Sequence, residues 1–450
     1  MPFGHRGRLD SPGFTKCTPP LDDTTATDDP STWAPWTHRP VCINSTKLEV
    51  IHHDAGGDNE RNAGVPEAAR ADDTRRFCVY TNVHLGDGGL SIITTPEQAA
   101  DSLHLFEDPN LPAALYSAAN DGGGAQRYKV VDIPEKGGKG VVATRAIRRF
   151  EPIILESGVV LADTDFPRAV ERTAGYRLLH EAVDRLPEAT VRAVMGLARG
   201  SAFARDEVED VLRTNAFAGE LGGQPHMTLF PAVSVAKVGE LSGRLQMFKA
   251  MADVLNPSAF PRFSRRSVVT AIVAARDIKP GEEITITYST TTNHINALPD
   301  SSLGLPYDER QERLKTVWGF ECTCDQCAVL EPERAASDRR LADVQRKRRE
   351  IVSAIGTRDA ARAVRLCHEV LDALATEDLP ALFAEEYEVL ARVHHLVGRD
   401  ADAVRYARMA LKVLGLYGSL DRDDEYVAVE GLLSAFSRPR VPAGGESPGR

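Results

Sequence analysis

The stretch VVTAIVAARDIKPGEEITITYS, residues 268–289, sets two strand-like runs around a Pro-Gly pair. Pro280 and Gly281 suit positions i+1 and i+2 of a type II turn, because proline pre-sets its own φ and glycine takes a positive φ without a Cβ clash. After the turn, Ile284, Ile286 and Tyr288 fall on one face of a strand, with Thr285 and Thr287 on the other. On that pattern alone Tyr288 is a core aromatic with its hydroxyl at the edge. Earlier, YKVVDIPEKGGKGVVATRAIRRFEPIILES (128–157) reads as Val130, Val131 and Ile133 running into a turn of glycines, with Val141 and Val142 resuming. Gly138-Lys139-Gly140 lets backbone approach a neighbour or ligand closely, although a glycine turn between strands is ordinarily structural.

Outward from these pieces the chain changes texture several times. Residues 1–76 are rich in Pro, Asp, Thr and Gly and predict a disordered or loosely attached region. From Phe77, residues 77–126 read as strand, glycine turn, strand, then a helix opening at Thr95-Pro96-Glu97 with proline in its first turn. Residues 127–161 and 226–289 are strand-rich, and 162–213 between them has helical spacing. Residues 331–437 read as helices broken at Gly356, Asp378 to Pro380, Gly398 and Gly415 to Asp421, and 438–450 as a tail.

A chain of 450 residues, 42% hydrophobic and 26% charged, has room for two or three globular domains. No apolar run reaches the roughly 18 residues of a membrane span, and MPFGHRGRLD lacks the apolar core of a secretory signal. A net charge of −11 disfavours binding to nucleic-acid phosphate and is compatible with a basic peptide partner. The seven cysteines are too few for a disulfide scaffold, so a reducing compartment, nucleus and/or cytoplasm, is the expectation. The alternative, for a secreted protein with a different N-terminus, pairs Cys42 with Cys78 and makes Asn44, in Asn-Ser-Thr, a glycosylation acceptor.

GFECTCDQC (319–327) gathers Cys322, Cys324 and Cys327, three candidate zinc thiolates where a structural site normally takes four ligands. In order, GGKGVVATRAIRRFEPII (137–154), TNAF (214–217), ARDIKPGEEITITY (275–288) and this cysteine cluster resemble the SET-domain protein lysine methyltransferases. The likeness is nearest to fungal SET-domain proteins and to the SET half of SET–MYND proteins, without the MYND finger, since 162–213 holds no cysteine. It spans about 127–330, and FCVYTN also looks like the lead-in of fungal members.

The resemblance implies an α+β fold: a β-rich SET domain of short strands with a helical insert (162–213), a post-SET cysteine cluster, and an all-α, tetratricopeptide-like C-terminal region. It implies S-adenosylmethionine as cofactor, with the backbone of Lys139, Gly140 and Val141 against it, Asn215 lining its site and Phe320 covering it. Tyr288 becomes the catalytic tyrosine, and Cys322, Cys324 and Cys327 become post-SET zinc ligands. The implied partner is a protein carrying a lysine, a histone or another basic peptide, met by a monomer without nucleic acid or membrane.

One element departs from the family. The fourth zinc ligand and an adenine-binding pair come from a motif Asn-His-x-Cys-x-Pro-Asn, due between HMTLFPAVS (226–234) and AFPRFSRRS (259–267). Counting back from Pro257, its Asn, His and Cys places hold Ala252, Asp253 and Leu255, inside an over-long spacer, 235–258. Either the motif has been lost, leaving a weakened enzyme or an inactive SET-fold interaction module, or the segment reflects a wrong splice junction; the intact flanks favour the second. A free-standing zinc-dependent module is the weakest reading, because three cysteines do not make a finger.

Several residues take plainer readings. His226 is a packed or capping histidine, and His52-His53 has no partner cysteines. Cys367 shares a helical face with Val364 and Leu371 and belongs to a core. The basic run RRLADVQRKRRE (339–350) reads as a solvated helix face, with nuclear import or peptide binding as the alternative.

Overall fold

The structure, a computed structural model, describes residues 33–45, 75–106, 127–133, 138–197, 199, 204–237, 257–264, 267–286, 306–318 and 325–437. In chain order its elements begin with β1 (Val41–Asn44), β2 (Arg76–Asn82), β3 (Leu90–Thr94), α1 (Pro96–Asp101), β4 (Tyr128–Ile133), β5 (Gly138–Ala143), β6 (Pro152–Ser157) and β7 (Val160–Asp163). There follow α2 (Phe166–Ala169), α3 (Arg172–Asp184), α4 (Glu188–Met195), α5 (Glu207–Asn215), β8 (Phe217–Leu221), β9 (Gln224–Leu229), α6 (Pro231–Lys237), β10 (Ala259–Ser264) and β11 (Val269–Ala274). The remainder is helical: α7 (Tyr307–Trp318), α8 (Asp325–Ala328), α9 (Glu331–Gly356), α10 (Ala360–Thr376), α11 (Phe383–Leu396), α12 (Asp400–Tyr417) and α13 (Asp424–Phe436). Two compact units share the chain: Met1–Ala118 with Glu156–Ser234 and Arg266–Val269, and Ala119–Leu155 with Val235–Arg265 and Thr270–Arg450.

The first unit is built on a six-stranded sheet ordered β1-β2-β3-β7-β9-β8. All its pairings are antiparallel except β3–β7. β3 is buried along its whole length and β2 from Phe77 on, as strands covered on both faces must be. α3 lays Leu178, Leu179, Ala182 and Val183 into this core. Its exposed first turn is capped by Glu171, whose carboxylate accepts from the Thr173 and Ala174 N–H groups. α1 starts where Thr95 and Pro96 predict, with Thr95 as N-cap.

In this unit Cys42 stands opposite Cys78 in the β1–β2 ladder and the two form a disulfide. The structure therefore has the pairing that a cysteine count leaves open. The residues are 36 apart in sequence and meet only because the strand register puts them face to face.

The second unit holds the β4–β5 hairpin, a sheet ordered β10-β11-β6, and the helices from α7 onward. The turn at Lys279–Glu282 is as its residues require: Glu282 N–H donates to Lys279 O at 3.1 Å and Gly281 has φ 79°. A Cβ at Gly281 would meet no atom within 4 Å, so backbone conformation and not space demands glycine there. Ile284 and Ile286 are buried as expected, but Thr285 is buried too, bonded to Ser258, so 284–286 shows no alternation of buried and exposed faces.

The C-terminal helices share one core in which Cys367 is fully buried beside Leu366, Val370, Leu390 and Ala407. Burial pushes its thiol up to about 12, which makes it an inert core residue. Gly415 lies within α12, so the break expected there falls after Tyr417. The end of α12 docks on β10 and β11: Tyr417 packs with Phe260, Ala271 and Val273, and Arg262 donates to the Gly418 and Ser419 carbonyls at 2.8 and 2.7 Å. The basic run on α9 is not merely solvated. Arg340 pairs with Glu377, Lys347 with Asp343 and Glu369, and Arg348 with Glu385 and Glu386, so these charges hold α9 to its neighbours. Among the described residues no helix is long and apolar enough to cross a membrane.

Candidate active site

β5 is a central strand of the second unit. On one side it pairs with β4, Val131 opposite Gly140 and Asp132 opposite Lys139. On the other it takes the segment 282–286: Ala143 N–H donates to Glu282 O at 2.8 Å, Ile284 N–H to Val141 O at 2.7 Å, and Val142 bridges Glu283. Gly138, Lys139 and Gly140 therefore lie in the strand itself and not in the turn that joins it to β4. The physical reason is that a residue without Cβ still completes a ladder, so glycine identity alone does not place a turn. Gly140 and Val141 are buried. The antiparallel sense carries segment 282–284 along β5 from Ala143 to Val141; Tyr288 lies outside the described residues.

Segment 282–286 is cross-tied by Ser258, a residue no sequence pattern marks. Thr285 N–H donates to Ser258 Oγ at 2.8 Å and Ser258 N–H to Thr285 Oγ1 at 3.1 Å. Ser258 follows Pro257, so this reciprocal pair anchors the end of the atypical spacer to segment 282–286. Ala252, Asp253 and Leu255 lie outside the described residues.

Asn215, in the first unit, ends α5 with its side chain fully buried. Its Nδ2 donates to Val211 O at 2.8 Å, and its carbonyl accepts from Ser234 Oγ of α6 at 3.2 Å. The first turn of α6 rests on Glu156, whose carboxylate accepts from the Ala232 and Val233 N–H groups, both at 2.7 Å. Burial pushes the Glu156 carboxyl up to about 7, while those two bonds pull it the other way. Glu156 is invisible to sequence reasoning, because the two donors lie some 76 positions away and only the fold brings them together.

His226 sits within β9, fully buried, its ring nitrogens against Gln224 O at 2.9 Å and Thr94 Oγ1 at 3.2 Å. Burial, the largest influence, lowers its pKa.

Of the cysteine cluster, Cys327 is described, buried in α8, its carbonyl 3.5 Å from Arg334 Nη1. Phe320, Cys322 and Cys324 lie outside the described residues. Both flanks of their segment are tied to α9. Asp338 accepts from Tyr307 N–H at 2.9 Å and pairs with Arg310 at 3.0 Å, and the Arg334 guanidinium lies 4.3 Å from the centre of the Tyr307 ring. Among the described residues no group of three or more His, Cys, Asp or Glu could hold a metal ion.

Residues 138–289 match the SET-domain family model, which takes in β5, Asn215, segment 282–286 and Tyr288. The chain carries a SET domain. Its short strands and the helical C-terminal region make the architecture α+β. A solved structure, the SET domain of LSMT bound to lysine and AdoHcy, is similar over 72% of this chain and 90% of that one, at 12% identity and a TM-score of 0.22. No curated protein sequence matches the chain. Within the SET domain, bare backbone at a buried Gly140 fits the close approach that S-adenosylmethionine requires.

Proposed function

We propose that this SET domain is an S-adenosylmethionine-dependent protein lysine N-methyltransferase acting on a histone or another basic peptide. The observation that carries the reading is the pairing of β5 with segment 282–286, inside residues 138–289 that match the SET-domain family model. The net charge of −11 suits a basic substrate.

Bound S-adenosylmethionine would supply an electrophilic methyl for in-line displacement by the lysine amine, a reaction accelerated chiefly by positioning. The backbone of Lys139, Gly140 and Val141 would hold it along β5, with Asn215 lining its site and Phe320 over it. The Tyr288 hydroxyl would orient the amine. Apolar surroundings disfavour the ammonium form, so burial beside these strands would help the substrate lysine shed its proton. Cys322, Cys324 and Cys327 would supply three thiolates to a zinc ion, and Leu255 aligns with the family's fourth ligand.

A second reading, a SET-fold interaction module without activity, is favoured by one observation: Ala252 and Asp253 stand where the family has its adenine-binding Asn and His. Calorimetric titration of S-adenosylmethionine into the purified chain decides between them, beside a second chain in which the spacer carries Asn-His-x-Cys. Measurable affinity in the first chain, with methylation of a lysine peptide, supports the enzyme. Binding that appears only after repair supports the module, and sequencing the transcript across codons 230–260 shows whether the spacer is genuine.

A further inference from the structure

β1 carries two features that methyl transfer does not use. Cys42 and Cys78 are 1% and 0% exposed, enclosed as a disulfide between β1 and β2. Two residues on, Asn44 ends β1 exposed, and with Ser45 and Thr46 it spells Asn-Ser-Thr. We propose that Asn44 bears an N-linked glycan beside a permanent Cys42–Cys78 disulfide, so that this unit matures in an oxidising, glycosylating compartment.

The two features point the same way for separate reasons. Disulfides that act as switches are reachable by thiols, whereas structural ones persist in oxidising compartments and are shielded from exchange. Here the strand carrying Cys78 is buried from Phe77 to Asn82, so no reductant reaches the sulfurs while the sheet is intact. The acceptor is as specific. Asn256-Pro257-Ser258 is excluded by its proline, which leaves Asn44 as the chain's one acceptor triplet. Among the described residues β1 is an edge strand, paired with β2 alone, so its last residue stands at the margin of the sheet. A glycan there would also shield that edge from pairing with strands of other chains.

The chemistry balances with two co-reactants of stated class. A protein disulfide oxidant takes two electrons and two protons from the Cys42 and Cys78 thiols as the S–S bond forms. A lipid-diphosphate-linked oligosaccharide gives its anomeric carbon to Asn44 Nδ2; the carbon–oxygen bond to the diphosphate breaks, the lipid diphosphate leaves, and the amide loses one proton to a base. The proposal takes the secreted alternative over the nuclear or cytoplasmic one, which would make any methyl acceptor a basic peptide other than a histone, and it stands independently of catalytic activity.

Protein isolated from the cells that make it, quenched in acid and alkylated before any reduction, tests both halves by peptide mass mapping. The expected result is a linked Cys42–Cys78 peptide pair without alkylation, and an Asn44 peptide seen only after enzymatic deglycosylation in heavy-oxygen water, as labelled aspartate. Thr46→Ala introduced in the same cells should abolish the glycan and its gel-mobility shift while the linked peptide persists. Alkylated Cys42 and Cys78, or an unmodified Asn44 in the native protein, overturns the proposal.

Discussion

Asp338→Ala is expected to loosen α7 and the cysteine-bearing segment that follows it. One carboxylate does two jobs: it pairs at 3.0 Å with Arg310, whose side chain is only 3% exposed, and it accepts from Tyr307 N–H in the first turn of α7. Removing one partner of a fully buried pair costs about 3–5 kcal/mol. Asp338 keeps 21% of its exposure, so water screens part of the loss and about 2 kcal/mol is the better figure for the pair. The lost backbone bond adds about 1 kcal/mol. A total of about 3 kcal/mol raises the open population of α7 about 100-fold. Native-state hydrogen exchange across 307–318 reads that population directly, and thiol labelling at Cys322, Cys324 and Cys327 reads whether the segment beyond α7 follows. Asp338→Asn, which keeps an acceptor but no charge, should fall between wild type and alanine. If exchange in α7 rises less than about threefold in Asp338→Ala with the helical core intact, the bracket is not what holds this helix.

Other outcomes follow from the same structure. Arg348→Met strands Glu386, whose side chain is 2% exposed, and should cost about 3–5 kcal/mol in denaturant unfolding, whereas Arg348→Met with Glu386→Leu should recover most of it. His226 is held neutral by burial, so its folded pKa lies below the unfolded value; stability should fall as pH drops from about 6.5 toward the folded pKa, and His226→Asn should flatten that slope. Tyr288→Phe should abolish methyl transfer and leave cofactor affinity nearly unchanged, as calorimetry beside a turnover assay would show; retained turnover rules out the catalytic assignment. On the proposal that Cys322, Cys324 and Cys327 hold zinc without a fourth cysteine, zinc should pass to a mild chelator, faster at low pH where the thiolates protonate, as a colorimetric metal release assay would record.

What the sequence determined by itself is whatever depends on neighbours along the chain. The type II turn at Pro280–Gly281, the helix start at Thr95-Pro96 and the stop of α9 at Gly356 follow from local backbone preferences, which act over a few residues and need no distant partner. The order of motifs that marks the SET segment is likewise a property of the linear chain. What only the tertiary structure decided is partnership across long separations. Lys139 and Gly140 joined a strand because β4 pairs with them, while the 282–286 segment bonds the same strand at Val141 and Ala143, a fact that glycine content does not encode. Glu156 became the support of α6, and Arg348 the partner of Glu386, by packing alone. Cys42 met Cys78 through register: a slip of one residue would have turned the two sulfurs to opposite faces, and composition is the same in either case.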